Sequence, residues 1–354
     1  MHTEKHTQPI YLKLIFSALM LFIFIGGTEL TLQLVDIDFY QKNQFFPVNR
    51  DIDFPEVYKK DQNLFWRFRS DLTINSKTFS DITYTINADG LRGKELTKKK
   101  GLRVLALGNS CTFGWGVDQK YIWTTLLEQK LQTSFPDKNI DIINAGVPGY
   151  SSFQGMNYFN NELLDKIKPD IILVMFGWND QRPAGKNITD AEQQMPNMLI
   201  LGLQNIFSKM KFYQFFRKFI LSTTETQEIV RLDKQSGKKR VSLAELQSNL
   251  KSIVRNAKEH SIIPILMVPP VASIENYFPG RISNFHLQHS RYQTQIINTA
   301  KYENITYIDH QPSFDLYNDL FKFPEDDPIH FNIKGQKIFS GAIEKILLPL
   351  IDSL

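Results

Sequence analysis

The sequence predicts an α/β protein with a parallel sheet, because strand-like and helix-like segments alternate from residue 102 onward. Five apolar runs are predicted as strands, at residues 104–107, 140–143, 171–176, 262–268 and 305–308. The third run is apolar at every position, which is typical of a central strand buried on both faces. Helices are predicted over residues 119–135, 242–260 and 333–350, so that both faces of the sheet are covered. Ser242 and Glu245 have the spacing of a capping box, which supports a helix start there.

Length and composition limit the class of protein. The 354 residues suffice for one large α/β domain with an extension. Lysine and arginine outnumber aspartate and glutamate by only 41 to 37, a surplus too small to indicate nucleic acid as a partner. Cys111 is the only cysteine, which excludes a disulfide scaffold and a thiolate zinc site. The sequence has neither metal-ligand spacing nor a phosphate-binding glycine loop, so no metal and no cofactor are predicted.

Residues 1–35 are predicted to be an N-terminal signal anchor. Residues 14–28 carry no charge, lysines precede them and Glu29 follows. A cleaved signal peptide has a similar apolar run, but the Gly-Gly-Thr sequence at 26–28 is a poor cleavage site, so an uncleaved transmembrane helix is favoured. A buried core helix is the remaining interpretation. Positive charge before the apolar run places that end in the cytoplasm and the rest of the chain on the extracytoplasmic side.

The rest of the chain divides near residue 100. Residues 36–100 are predicted to be a small β-rich extension, because the alternating run at 82–86 and the Asn-Ala-Asp-Gly sequence at 87–90 indicate a strand and a turn. Residues 101–354 form the predicted α/β domain, with a helical insertion at about 181–240.

Four short segments lie where a doubly wound sheet builds its site. Three of them follow predicted strands and the fourth precedes the last helix. They are Gly108-Asn109-Ser110, Gly146-Val147-Pro148-Gly149, Gly177-Trp178-Asn179-Asp180 and Asp327-Pro328-Ile329-His330. Ligands bind beyond the carboxyl ends of the strands in such sheets, so we expect these segments to meet at one edge.

Together these segments contain the groups that acyl transfer at a serine requires. The serine hydroxyl is a weak nucleophile and needs a base such as histidine to take its proton. An aspartate three residues before the histidine can orient the imidazole ring. The Ser110 N–H, the Gly149 N–H and the Asn179 side-chain amide are candidates for stabilising the oxyanion of the intermediate. Asp180 is expected to support the loop that holds Asn179, and Cys111 to be a small buried hydrophobic residue.

This constellation resembles the SGNH hydrolases, also called the GDSL esterase/lipase family, over residues 104–336. The resemblance implies a flavodoxin-like α/β/α sandwich with a five-stranded parallel sheet. It also implies a set of roles: a catalytic Ser110, a base His330, a supporting Asp327, and oxyanion donors Ser110, Gly149 and Asn179. The segment at 87–93 looks like the extension of bacterial membrane-anchored members.

One position departs from the family pattern. The usual Gly-Asp-Ser is Gly108-Asn109-Ser110 here. The resemblance implies an exported, membrane-anchored serine ester hydrolase that acts on acyl esters of glycans or lipids. Two alternatives stay open: an O-acyltransferase that uses the same acyl-enzyme, and a non-catalytic binding module, which Asn109 favours. No protein partner is indicated.

The insertion has an unusual composition. Residues 195–224 contain no aspartate or glutamate, and they carry basic residues among many aromatic ones. On a helix, the apolar residues before and after Lys211 would lie on different faces, which one straight helix cannot bury against one partner. The sequence therefore predicts either two helices with a break near Lys211 or one helix with two partners. The insertion is either packed on the core or a cap over Ser110 whose basic aromatic side rests on an anionic membrane.

Overall fold

The computed structural model describes residues 9–35, 57–76, 82–222, 237–272, 284–323 and 327–354. The chain divides into a larger unit, Lys42–Met198 with Lys234–Leu354, and a smaller unit, Met1–Gln41 with Leu199–Asp233. The helices of the described residues, in chain order, are α1 (Ile10–Leu34), α2 (Ser110–Phe113), α3 (Trp123–Ser134), α4 (Ser152–Tyr158), α5 (Leu164–Ile167), α6 (Met198–Phe207), α7 (Lys211–Ser222), α8 (Leu243–Glu259), α9 (Asn284–Tyr302), α10 (Gln311–Phe314) and α11 (Ile333–Asp352). The predicted boundaries at residues 35 and 100 remain predictions.

The extension is strand-rich where the structure describes it, as predicted. Strands β1 (Tyr58–Asp61) and β2 (Phe65–Phe68) form one antiparallel hairpin, and β3 (Leu72–Asn75) and β4 (Thr83–Ile86) form a second. The turn predicted after β4 is also present, because the Asn87 carboxamide accepts hydrogen bonds from the N–H groups of Asp89 and Leu91. Residues 36–56 of the predicted extension lie outside the described residues.

A parallel sheet of five strands forms the centre of the larger unit, and it confirms the predicted fold class. The strands are β5 (Leu102–Gly108), β6 (Ile140–Gly146), β7 (Ile171–Met175), β8 (Ile263–Val268) and β9 (Tyr307–Asp309). Their order across the sheet is β6-β5-β7-β8-β9, which is the flavodoxin-like order 2-1-3-4-5. An antiparallel hairpin of β10 (Phe321–Phe323) and β11 (Asp327–Phe331) stands apart from this sheet.

Helices cover both faces of the sheet, which explains why the central strand β7 is apolar and buried at every position. On one face, residues such as Val104, Leu173 and Ile265 share a core with Leu127 of α3 and Ile343 of α11. Helices α4, α8 and α9 pack against one another as the other layer. A strand buried on both faces has no position at which a polar side chain reaches water, so the alternation seen in half-exposed strands is absent.

The helix predicted over 119–135 begins later than expected. Its first turn is a 3₁₀ turn over Gln119–Tyr121, and α3 begins only at Trp123. The Asp118 carboxylate caps the short turn by accepting a hydrogen bond from the Lys120 N–H, and Ile122 is extended. The helix predicted from residue 242 is confirmed as α8, with the complete capping box of Ser242 and Glu245.

The short helix α2 lies directly over the carboxyl ends of β5 and β6. A Cβ atom on Gly146 would stand 2.2 Å from the Phe113 backbone nitrogen, and one on Gly108 would stand 2.1 Å from the Thr112 hydroxyl oxygen. Side chains at these two strand ends would therefore push α2 away. The Asn144 carboxamide also donates to the Thr112 carbonyl oxygen at 2.8 Å, which binds the helix to β6.

Arg92 connects the extension to the loop that follows α2. Its guanidinium is buried and donates hydrogen bonds to the carbonyl oxygens of Phe113, Gly114 and Val117. It also lies 4.3 Å from the centroid of the Phe113 ring and 4.9 Å from that of Tyr84. Three carbonyl groups thus share one buried donor side chain, and the Gly114 carbonyl also accepts a hydrogen bond from the Val117 N–H at 3.2 Å.

In the smaller unit, α6 and α7 are separate helices, as one form of the prediction required. The break lies at residues 208–210, and α7 begins at Lys211. Helix α1 is 25 residues long, contains no buried residue and packs against α7. It is long and apolar enough to cross a membrane. The part of the predicted insertion at 223–236 lies outside the described residues.

We expect Arg92→Met to lower the free energy of unfolding by about 2–4 kcal/mol, because it removes the donors to buried carbonyl groups while keeping an unbranched side chain in part of the same space. Thermal unfolding followed by circular dichroism measures the loss. The matched control is Arg255→Met, which removes a largely exposed guanidinium and should change stability by less than about 0.5 kcal/mol. Equal stability of the two variants would contradict the proposed importance of Arg92.

Candidate active site

Ser110 is the first residue of α2 and follows β5 directly. The N-cap of this helix is Asn109, whose carboxamide oxygen accepts a hydrogen bond from the Cys111 N–H at 3.0 Å. The Ser110 hydroxyl is therefore not used for capping and is available to a neighbouring side chain. Ser110 is buried, with 6% of its surface exposed.

The structure brings Ser110, His330 and Asp327 into one hydrogen-bonded chain. The His330 Nε2 lies 2.7 Å from the Ser110 Oγ, and the His330 Nδ1 lies 2.6 Å from the Asp327 Oδ2. A carboxylate can only accept, so Nδ1 carries the proton and Nε2 is left to accept the serine proton. Both Asp327 and His330 belong to β11, and His330 reaches a serine that lies 220 positions earlier in the chain.

Asp327 is held in its charged form. Burial by itself raises the pKa of Asp327, but the hydrogen bond and charge of His330 oppose it, and the backbone N–H groups of Ile329 and His330 add to this. The net result is that the pKa of Asp327 lies below its usual value. An ionised carboxylate at this point keeps the imidazole in the tautomer that can accept the Ser110 proton.

Gly149 lies in the turn after β6 with a φ of 84°, a left-handed conformation that favours glycine. Its carbonyl oxygen accepts a hydrogen bond from the Arg240 guanidinium at 2.7 Å. Within the part of the chain that the structure describes, the N–H groups of Gly149 and Ser110 have no protein acceptor. Both are therefore available to a ligand.

Asn179 follows β7 and is buried. Its carboxamide nitrogen donates to the Tyr150 carbonyl oxygen at 3.0 Å, which fixes the side chain and leaves the second N–H of the amide for another acceptor. The neighbouring Asp180 accepts hydrogen bonds from the N–H groups of Ser152 and Gly177, both at 3.0 Å. Burial raises the pKa of Asp180 despite these bonds. Asp180 thus supports the Asn179 loop, as expected.

Cys111 is a buried thiol rather than a second nucleophile. Its Sγ donates to the Ile329 carbonyl oxygen at 3.3 Å, and burial, together with the nearby Asp327 charge, raises the pKa of the thiol well above its usual value. Trp115 packs beside the site, with its ring centroid 6.4 Å from that of His330. Trp178 is also buried and stacks on His289. The burial of Cys111 agrees with its expected role, and both tryptophans make packing contacts.

Sequence reasoning missed Arg240. It lies at the end of the predicted insertion, yet its guanidinium binds the Gly149 carbonyl and pairs with the buried Asp190 at 2.7 Å. Asp190 in turn accepts a hydrogen bond from the Ser151 hydroxyl at 2.6 Å. This network links both ends of the insertion to the Gly149 turn. No local sequence pattern around Arg240 indicates its role. Arg92, in contrast, lies in the 87–93 segment, which looks like the extension of membrane-anchored family members.

No group of three or more histidine, cysteine, aspartate or glutamate residues capable of holding a metal ion occurs among the described residues. The side chains that meet at the sheet edge are a hydroxyl, an imidazole, a carboxylate and an amide. That donor set matches proton transfer and hydrogen bonding to an oxyanion.

Several solved structures are similar to this chain. They include LAE5, an α/β hydrolase from the metagenome of Lake Arreo, Spain, with 18% identity and a TM-score of 0.46 over 69% of this chain and 93% of that one. A lipase/acylhydrolase from Enterococcus faecalis has 17% identity and a TM-score of 0.44 over 70% and 95%. A variant of an acetyl xylan esterase from Geobacillus stearothermophilus has 18% identity and a TM-score of 0.45 over 69% and 94%. Comparison with curated protein sequences gave no significant match.

A family model carries the assignment. The model described as the GDSL-like Lipase/Acylhydrolase family matches residues 106–338, well over half of the chain. This range begins inside β5 and ends inside α11, so it includes every residue of the site described above. The resemblance to the SGNH hydrolases is thereby confirmed. The chain belongs to the GDSL-like lipase/acylhydrolase family and is an ester-bond hydrolase.

Proposed function

We propose that this chain is an exported, membrane-anchored serine ester hydrolase that uses Ser110, His330 and Asp327 as a catalytic triad. The observation that carries the proposal is the continuous hydrogen-bonded chain of the three side chains, with distances of 2.7 and 2.6 Å. A serine hydroxyl bound to the free nitrogen of an oriented imidazole is the arrangement that nucleophilic acyl transfer needs.

The order of the proton transfers follows from the two hydrogen bonds of His330. His330 Nε2 takes the Ser110 hydroxyl proton as Oγ attacks the ester carbonyl, and Asp327 stabilises the imidazolium that forms. The imidazolium then gives the proton to the leaving alcohol, and the acyl group stays on Ser110. In the second half, His330 takes a proton from water, which attacks the acyl-enzyme. The imidazolium then returns this proton to the Ser110 Oγ as the acid is released.

The oxyanion formed in both halves needs donors that are already in place. We assign this role to the N–H groups of Ser110 and Gly149 and to the second amide N–H of Asn179. Arg240 supports the assignment by fixing the Gly149 carbonyl, which orients the adjoining peptide. The Tyr150 carbonyl does the same for the Asn179 amide.

Helix α1 supports membrane anchoring. Its 25 residues would extend about 37 Å, enough to cross the hydrocarbon core of a bilayer, which is about 30 Å thick. The poor cleavage sequence at 26–28 lies inside the continuous helix, where the Thr28 hydroxyl donates to the Phe24 carbonyl. We therefore favour a retained anchor with the hydrolase on the extracytoplasmic side, where acyl esters of envelope glycans or lipids are the available substrates.

A serine-reactive fluorophosphonate probe tests the proposed function. The parent protein should be labelled and Ser110→Ala should not, whereas the exposed control Ser134→Ala should be labelled like the parent. Absence of labelling in the folded parent would favour a binding module.

Intact mass of the membrane-extracted protein tests retention of α1, since cleavage at 26–28 would remove the first part of the chain. Acyl transfer to an added sugar in place of water would identify a transferase.

We expect Ser110 and His330 to act as a unit. Ser110→Ala and His330→Ala should each lower kcat for p-nitrophenyl acetate by about 10⁴- to 10⁶-fold, and the double variant by little more, because either change removes the same proton transfer. Asp327→Ala should cost less, since the imidazole remains a base when poorly oriented. His260→Ala, at an exposed histidine, is the control. Additive losses in the double variant would contradict a shared mechanism.

Asn179→Ala should lower kcat by about 10²- to 10³-fold with little change in KM, because an oxyanion donor acts in the transition state rather than on the bound substrate. Steady-state kinetics with p-nitrophenyl acetate separate the two parameters. A raised KM at unchanged kcat would instead assign Asn179 to substrate binding.

Asn109→Asp should leave kcat/KM within about tenfold, a barrier change of about 1.4 kcal/mol or less. A carboxylate oxygen can accept the same hydrogen bond from the Cys111 N–H, so the cap of α2 survives. Asn109→Ala removes that acceptor and should lower the free energy of unfolding by about 1 kcal/mol. An activity gain in Asn109→Asp far beyond tenfold would show that the natural protein is a weakened enzyme.

A further inference from the structure

Helices α6 and α7 of the smaller unit expose many large apolar side chains. On α6, Met198, Leu199 and Ile206 are 76, 75 and 67% exposed. On α7, Phe216 and Phe219 are 54 and 63% exposed. Exposed apolar side chains at this density are typical of a surface that meets a protein or a membrane.

Aromatic residues of α7 form a stripe, in which Phe215, Phe216 and Phe219 are exposed and Phe212 is half-buried. Phe212, Phe215, Phe216 and Phe219 have the spacing i, i+3, i+4 and i+7, which places them on one side of the helix. The rings of Phe212 and Phe216 stack, with centroids 6.4 Å apart. Lys209 is exposed beside the start of α7 and Arg217 is half-buried on it. An aromatic stripe with basic residues around it is the pattern of a helix that lies in a membrane interface.

Among the described residues, α7 contacts α1 near the end of that helix, at Glu29. The half-exposed residues of α1 are Ile25, Thr28, Glu29 and Leu32, again at i, i+3, i+4 and i+7, whereas residues 10–24 are exposed. Helix α7 packs on α1. The uncovered part of α1 is therefore the part that lipid would surround.

Glu29 fixes the position along α1 at which α7 begins. Its carboxylate accepts hydrogen bonds from the Lys211 N–H at 3.0 Å and the Phe212 N–H at 2.7 Å, which are the first two N–H groups of α7. These groups have no acceptor within their own helix. Residues 195–224 contain no acidic side chain, so the acceptor comes from α1.

The position of Glu29 along α1 corresponds to the extracytoplasmic side of a bilayer. Glu29 is the twentieth residue of α1, which places it about 28 Å along the helix axis from Ile10. The hydrocarbon core is about 30 Å thick. If Ile10 lies at the cytoplasmic boundary, Glu29 and the start of α7 lie where the acyl chains meet the outer headgroups.

We propose that α6 and α7 form an interfacial membrane-binding element, with the aromatic stripe of α7 in the outer leaflet and the basic residues on anionic phospholipid headgroups. The proposal rests on the membrane anchoring proposed for α1. The element would bind α1 at the extracytoplasmic surface and use the lipid bilayer as its partner.

Site-directed fluorescence with the full chain in liposomes tests this. A polarity-sensitive thiol dye is attached to Phe216→Cys or to Phe219→Cys, with nitroxide-labelled lipid as the quencher. Phe22→Cys, on the uncovered part of α1, reports anchoring separately. Leu316→Cys, 77% exposed in the larger unit, is the aqueous comparison, and the parent protein controls for the buried Cys111.

We expect quenching by about twofold or more at Phe216 and Phe219 by nitroxide at a shallow acyl position, and little at Leu316. Quenching at Phe22 should require a deep nitroxide. Emission at Phe216 and Phe219 that is water-like, or shielded but not quenched by lipid, would overturn the proposal even if Phe22 is quenched. Loss of quenching at Phe22 would instead overturn the anchoring of α1.

The anionic preference has its own test. Quenching at Phe219 should increase when anionic phospholipid is added to neutral liposomes. A variant with Lys209→Gln and Arg217→Gln should lose this dependence, because the headgroup attraction is removed. Lys98→Gln with Lys100→Gln is the matched control, as both are exposed lysines outside the smaller unit. Equal quenching in neutral and anionic liposomes would contradict the role of the basic residues.

Discussion

The backbone contact of α2 with the ends of β5 and β6 is the constraint on which the site depends. Ser110 begins a helix of only four residues, which is too short to be stable by itself. Its place is set because Gly108 and Gly146 leave room for the helix backbone, and because Asn109 and Asn144 bind the Cys111 N–H and the Thr112 carbonyl. The serine hydroxyl then projects at the edge of the sheet, within reach of a histidine from a distant hairpin.

The extension is part of this arrangement rather than an appendage. Arg92 replaces missing hydrogen bonds for the loop after α2, and the Tyr84 hydroxyl accepts the Gly116 N–H at 3.0 Å in the same loop. The Phe68 ring stacks on Phe113 with centroids 5.4 Å apart. A buried guanidinium that binds only neutral groups is stabilised by several carbonyl dipoles and two aromatic faces. The region before residue 100 therefore supports the loop that follows Ser110 and α2.

The Gly149 turn is likewise held by residues from another part of the chain. Arg240 and Asp190, from the two ends of the insertion, form a buried ion pair that binds the Gly149 carbonyl. The insertion thus leaves the larger unit and returns to it at points that stabilise the site. The middle of the insertion, α6 and α7, carries basic residues among many aromatic ones, and its α7 packs on α1. One chain segment thus contains both the proposed membrane-binding element and the residues that hold the proposed oxyanion donor Gly149.

The sequence by itself determined the five strands, the α8 capping box, the turn after β4 and the four short segments at the sheet edge. Each depends on residues near one another in the chain: an apolar run, a Ser-x-x-Glu spacing, a glycine after a strand. Residues carried over from the family resemblance also meet in space, as Ser110, His330 and Asp327 do. The tertiary structure alone decided that Arg92 and Arg240 support the site, because their partners lie 21 to 25 and 91 positions away. It also decided that Glu29 of α1 caps α7, 182 positions later, since no local signal relates a carboxylate in one helix to the free N–H groups of another.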